Sequence, residues 1–145
     1  MPDTVITKYP FVLVTMATRK EGITREEFRH HNETIYAPLL KQCMGKAHPL
    51  TWTRRYHVEE GEGPKGIPRI IFGTDDGMDW DCFGEMTFAD ELHCQQFIAF
   101  MNTDAAEPVL EEEGKFADPE KTKLMVMRRE HTLGERAQVQ KLAEP

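Results

Sequence analysis

The stretch FRHHNETIYAPLL, Phe28 to Leu40, gathers groups that move protons: adjacent imidazoles at His30 and His31, an amide at Asn32 and a phenol at Tyr36. An imidazole titrates near neutral pH, so His31 can take a proton from an acidic carbon or phenol and return it. Its other reading is a core histidine hydrogen-bonded to backbone. Tyr36 can donate to a developing enolate or phenolate, or pack at a helix end. His48, before Pro49 at a strand entrance, either reaches a pocket mouth or stays an exposed loop residue. Arg54 and Arg55 alternate across a strand, and Arg54 shares its face with Trp52 and Tyr56. There it can hold a carboxylate or polarised carbonyl by paired hydrogen bonds, or form an ion pair with Glu85 or Asp81. His131 falls on the face of Met125 and Met127, which belongs to a site or to a subunit interface.

Other chemistries find less support. His30 and Glu33 lie three residues apart, but no other His, Cys or Asp cluster supplies further ligands at compact spacing, so no metal is expected. A phosphate-cradling glycine loop, a dinucleotide fingerprint and a serine nucleophile elbow are absent, and no cofactor is expected. Cys43, Cys82 and Cys94 are odd in number and scattered, which predicts reduced thiols rather than a disulfide framework. A net charge of -7 argues against nucleic-acid binding. No apolar run approaches the roughly 20 residues that span a bilayer, and no export signal is seen, so a cytoplasmic protein with no membrane partner is expected.

These residues need elements to position them. Tyr9 to Lys20 is a Val/Phe/Leu-rich run that predicts a strand covered on both faces. Thr24 and Glu27 form a capping box that starts a helix. Along it Phe28, His31, Ile35 and Leu39 share an inward stripe and His30 points outward; Pro38 is expected to kink or end the helix near Tyr36. Thr51 to Val58 predicts a strand. The turn-rich segment 61–68 reads as a surface loop, and the run from Arg69 to Gly77 as an edge strand or a lid-like connection. Asp81 to Phe88 predicts a strand, and Asp90 to Met101 a helix burying Leu92, Phe97 and Phe100 or Met101. Asp104 and Glu107 suggest a second capping box, with Gly114 closing that helix. The run KTKLMVMRREH predicts a last strand, with Leu124 and Val126 opposite Met125 and Met127.

Strand, helix, strand, strand, helix, short helix, strand is the split βαβ order of a ferredoxin-like α+β domain, placed at residues 1–131 with a peripheral tail at 132–145. At 145 residues and 39% hydrophobic composition, the chain can bury one core. Helices cover only one face of such a sheet, so the apolar second face predicts a homodimer.

TREEFRHHNETIYAPLL, HPLTWTRRY, FGEMTFAD and EEGKFADPEKTKLMVMRREH together resemble the EthD family of dimeric α+β barrel proteins, in its fungal natural-product form. The resemblance implies a cofactor-free pocket between sheet and helices for a hydrophobic small molecule. It implies polyketide-type proton-transfer chemistry: decarboxylation, dehydration or cyclisation. The alternatives are cofactor-free oxygenation of an anthrone or quinol, and a module that binds a hydrophobic metabolite without transforming it. The family's usual histidine two residues before the proline is Tyr36 here, and its usual aromatic at position 32 is Asn32, so the role of that histidine as base passes either to His31 or to the phenol of Tyr36. The expected catalytic set is His31, Tyr36, Arg54 and His48. The expected substrate-lining set is Phe28, Ile35, Trp52, Tyr56, Met86, Phe97, Phe100 and Met127. Methionines such as Met86, Met101, Met125 and Met127 give adaptable walls for a flat ligand, or ordinary core filling.

Overall fold

The computed structural model describes residues 11–58 and 68–140. Strands β1 (Phe11–Ala17), β2 (Thr51–Tyr56), β3 (Cys82–Phe88) and β4 (Lys123–Met127) form one antiparallel sheet in the order β2-β3-β1-β4. With helices between β1 and β2 and between β3 and β4, this is the ferredoxin-like order expected. Register pairs Leu13 with Met86 and Val126, and Trp52 with Met86, so these residues stand on one face of the pleat. Leu13 and Met86 join Phe28, Leu40, Phe88, Phe97 and Val109 in the core between sheet and helices.

The first helix departs from expectation at Pro38. The capping box holds, with Thr24 Oγ1 accepting from Glu27 N at 3.0 Å and Glu27 Oε1 accepting from Thr24 N at 2.9 Å. The helix then continues through the proline: α1 (Arg25–His31), a π-helical turn (Asn32–Tyr36) and α2 (Ala37–Met44) run on without a break. In the wide turn the Ala37 amide donates to the Asn32 carbonyl, five residues back. Pro38 then falls in the first turn of α2, where a missing amide hydrogen is tolerated.

The π turn rephases the buried stripe. In a regular α-helix residues four apart drift by about 40° per step, and the widened turn absorbs that drift. Phe28, Asn32, Tyr36, Leu40 and Met44 are therefore buried, while Ile35 is 45% exposed and His31 half-exposed. The expected stripe through His31, Ile35 and Leu39 is one residue out.

Helix α3 (Glu91–Phe100) is capped by Asp90 and buries His93, Cys94 and Phe97, with Leu92 exposed where burial was expected. The Asp104 capping box does not form: Asp104–Ala106 is a 3-10 turn, and α4 (Glu107–Glu113) follows without a side-chain cap and closes at Gly114. The connection 69–80 holds no strand, and Ile71 and Phe72 are fully exposed. Most of the 61–68 loop, together with Tyr9 and Pro10, lies outside the described residues. The tail carries a short helix, α5 (Glu135–Gln140). No described helix is long and apolar enough to cross a membrane.

Candidate active site

A cavity of about 340 Å³ opens between the helix-facing side of the sheet and helices α2, α3 and α4. Its buried wall is Leu40, Met86, Phe97, Phe116 and Ala117, and its rim is Ile98, Asn102, Pro119 and Leu124, which are exposed. The mouth therefore lies between the end of α3 and the β4 edge. Polar groups enter from Thr15, Asn32, Tyr36, Trp52, Cys82, Asn102, Glu113 and Thr122, and no lysine, arginine or histidine lines the wall among the described residues.

Two of these groups, Tyr36 and Glu113, stand in largely apolar surroundings. Tyr36, placed by the π turn, is packed between Phe116 at 5.3 Å and Trp52 at 6.3 Å between ring centroids. Burial, together with the nearby Glu113 carboxylate, pushes its phenol well above the usual range. Glu113 ends α4, and burial alone raises its carboxyl pKa. Neither side chain has a hydrogen-bond partner among the described residues. Burial likewise pushes the Cys82 thiol up to about 11. In all three, burial disfavours the charged form.

Behind the wall a polar chain fixes Asn32. Its Nδ2 donates to Tyr56 Oη at 2.8 Å, Tyr56 donates to Glu33 Oε2, and Arg54 clamps Glu33 through Nε at 2.6 Å and Nη2 at 2.8 Å. Arg54 holds the Glu33 carboxyl below its ordinary range. The same guanidinium lies 4.4 Å from the Trp52 ring centroid, on the side away from the cavity. Gly84 keeps this corner open: a Cβ there would sit 2.4 Å from Thr15 Oγ1 and 3.1 Å from Trp52 Nε1. The Trp52 Nε1 is buried without a partner.

The expected site residues divide sharply. Tyr36, Trp52, Met86 and Phe97 line the cavity. His31 does not: its ring stacks on Phe116 at 4.6 Å and its Nε2 meets Glu112 Oε2 at 2.5 Å, on the outer side of α4. Arg54 does share the face of Trp52 and Tyr56, but its partner is Glu33; Glu85 pairs with Arg129 and Asp81 with Arg25. His48 lies in a separate outer groove, its Nδ1 2.8 Å from Pro49 O, with burial lowering its pKa. Phe28 and Tyr56 are packed behind the wall, Phe100 is half-buried beside it, Ile35 faces out, and Met127 stands on the opposite face of the sheet. His131 is exposed beyond β4.

Glu113, Asn32, Thr15 and Phe116 were not anticipated. Glu113 did leave a signal: three consecutive glutamates end a helix where the backbone dipole disfavours negative charge, so one had reason to be elsewhere than in solvent. Asn32 left none, because its burial depends on the π turn.

The EthD domain family model matches residues 20–120, most of the chain and every element that walls the cavity except β1 and β4. The chain belongs to the EthD domain family. Among solved structures it is similar to an EthD family protein of Bacillus halodurans C-125, at 18% identity and a TM-score of 0.51, covering 83% of this chain and 99% of that one. It is also similar to an EthD-like protein of Ralstonia eutropha JMP134, at 15% identity and a TM-score of 0.53, covering 83% and 92%. These likenesses carry the fold. In sequence it is 30% identical over 78 residues to the decarboxylase claH of Passalora fulva, covering 52% of this chain and 49% of that protein. The chain thus aligns with about half the length of this curated relative.

Proposed function

We propose that this EthD protein is a lyase of secondary metabolism that removes carbon dioxide from a hydrophobic, polyketide-like aromatic acid by proton transfer within the cavity. One observation carries the reading: an apolar cavity receives two acids, Tyr36 and Glu113, that have neither a hydrogen-bond partner nor a cationic neighbour in the wall among the described residues. Proton transfer to carbon needs a donor held neutral near the ring and a second donor to stabilise the oxygen on which charge collects. Similarity to a decarboxylase supports carbon dioxide loss over dehydration or cyclisation. Two chains pair through the sheet surface that carries Met125 and Met127.

The test is direct: a panel of hydroxylated aryl acids is incubated with the protein and the decarboxylated arenes are quantified. Turnover abolished by Leu40→Trp, which fills the cavity, supports the reading. Oxygen consumption with an anthrone and no carbon dioxide release overturns it in favour of an oxygenase, and saturable binding without turnover in favour of a binding module.

A further inference from the structure

Resting on that reading, we propose that Glu113 is the proton donor of the reaction, standing in the cavity as a neutral carboxylic acid and handing its proton to the ring carbon that bears the substrate carboxylate. The geometry assigns it this role. The Glu113 side chain makes no hydrogen bond among the described residues, whereas its neighbour Glu112 is held by His31 at 2.5 Å and Lys115 at 3.2 Å. Of two successive carboxylates, one is fixed as an anion on the outer side of α4 and the other is left in an apolar wall.

The titratable surroundings are few. Tyr36 faces Glu113 from the π turn and Cys82 lines the same cavity from β3, while His31, Glu112 and Lys115 form their cluster outside it. The lining contributed by α2, α3 and β4 is uncharged. Burial of a carboxylate without a cation is costly, which favours the protonated form of Glu113, and the upward direction of its pKa agrees.

An aryl carboxylate entering this cavity meets no cation among the described residues either, and two anions together would be repelled. The substrate anion is therefore taken up only while Glu113 is protonated. The Glu113 O–H bond then breaks as a C–H bond forms at the ring carbon. The bond from that carbon to the carboxylate breaks next, its electron pair returns to the ring, and carbon dioxide leaves. Glu113, now a carboxylate, regains a proton from solvent. The net change is aryl carboxylate plus one proton to arene plus carbon dioxide, with no oxidant or reductant. A hydroxyl ortho or para to the carboxylate supports positive charge in the protonated ring, which places the substrate among hydroxyaryl acids.

The test measures binding of 2,4-dihydroxybenzoate and of resorcinol to the full chain across pH, with infrared spectra alongside. In the wild type, affinity for the acid falls about tenfold per pH unit above the Glu113 pKa, because one proton is bound with it, and resorcinol shows no such slope. Infrared spectra of the wild type minus Glu113→Gln show the carbonyl stretch of a protonated carboxylic acid at neutral pH. Glu113→Gln keeps resorcinol affinity, loses the slope and lowers turnover by roughly 10²–10⁴-fold. A carboxylate band in place of the acid band overturns the proposal, as does a slope absent from the wild type or unchanged in Glu113→Gln. If resorcinol also fails to bind, the cavity reading falls and this inference with it; loss of the slope alone removes only the inference. Should Glu113→Gln not fold, the wild-type slope and a Glu113→Asp variant decide.

Discussion

His31 Nε2 lies 2.5 Å from Glu112 Oε2, and the next residue along α4, Glu113, turns its carboxyl into the cavity. One step of helix separates a paired carboxylate from an unpaired one. Although Glu112 is partly desolvated, the hydrogen bonds from His31 and Lys115 outweigh that and hold it below the ordinary carboxylate range. His31 is thus committed to a hydrogen bond with Glu112 outside the cavity.

The first prediction follows from that commitment. His31→Ala removes a half-exposed pair and a ring stacked on Phe116 but no cavity group, so it costs on the order of 1 kcal/mol of stability. Turnover per folded molecule stays within a few-fold of wild type. Chemical denaturation and steady-state assays on the same preparation check it. A loss of turnover approaching 10²-fold would restore His31 to the chemistry.

Glu113 gives a stability prediction that needs no substrate. Below the ordinary glutamate pKa of about 4.3, both folded and unfolded chains carry the proton, and Glu113→Gln changes nothing through charge. As pH rises, the unfolded chain loses its proton first, because burial raises the folded value. Wild-type stability therefore falls relative to Glu113→Gln across the interval between the two values and then levels off. The variant is expected to be more stable at neutral pH, by about 1.4 kcal/mol for each pH unit that separates the folded Glu113 value from the unfolded one, with no difference at pH 4. Denaturation midpoints from pH 4 to 9 measure the gap; a gap largest at low pH contradicts the assignment.

The fold was legible because the apolar runs of the first and last strands, the alternation of Thr51 to Val58, and Thr24 with Glu27 leave strong local marks. The site was less so, and the reason is local. Sequence spacing assigns helix faces by 3.6-residue geometry, and a single π turn moves the inward stripe from His31 and Ile35 to Asn32 and Tyr36. Pro38 was noticed as a perturbation, but its accommodation by a wider turn rather than a break depends on the packing of Tyr36 against Phe116, some eighty residues away in sequence. Arg54 shows the same limit: its face was readable, its partner Glu33 was not, because the pairing joins two elements whose relative placement the π turn sets.

Gly84 predicts a steric effect at the cavity corner. A methyl group there falls 2.4 Å from Thr15 Oγ1, in strand β1 across the ladder, and 3.1 Å from the Trp52 indole nitrogen. Both side chains must move toward the cavity. Gly84→Ala is expected to cost about 1–3 kcal/mol, the usual range for overpacking, and to weaken resorcinol binding several-fold. Gly84→Ala combined with Thr15→Ala recovers most of both losses by removing the closest atom. Melting curves and calorimetric titration of the single and double variants check the coupling, and additive losses contradict it.

The last prediction concerns assembly. Strand β4 is an edge strand whose apolar residues stay exposed on both faces: Leu124 at 51% and Val126 at 65% on the helix side, Met125 at 38% and Met127 at 47% on the other. An edge with this much free apolar surface invites uncontrolled pairing unless a partner covers it. Register sets Met125 beside Val14 and Met127 beside Val12, and since both valines are already buried, the free apolar surface on the face opposite the helices is that of Met125 and Met127. A second copy meeting that patch buries Met125 near its centre. Light scattering after size exclusion at micromolar concentration is expected to give twice the chain mass of 16.8 kDa. Met125→Glu places a charge in the buried patch and shifts the protein to monomer, whereas Ile71→Glu, on an exposed connection away from the sheet, leaves the dimer intact. A wild type that elutes as a monomer, or a dimer indifferent to Met125→Glu, rules out pairing through this face.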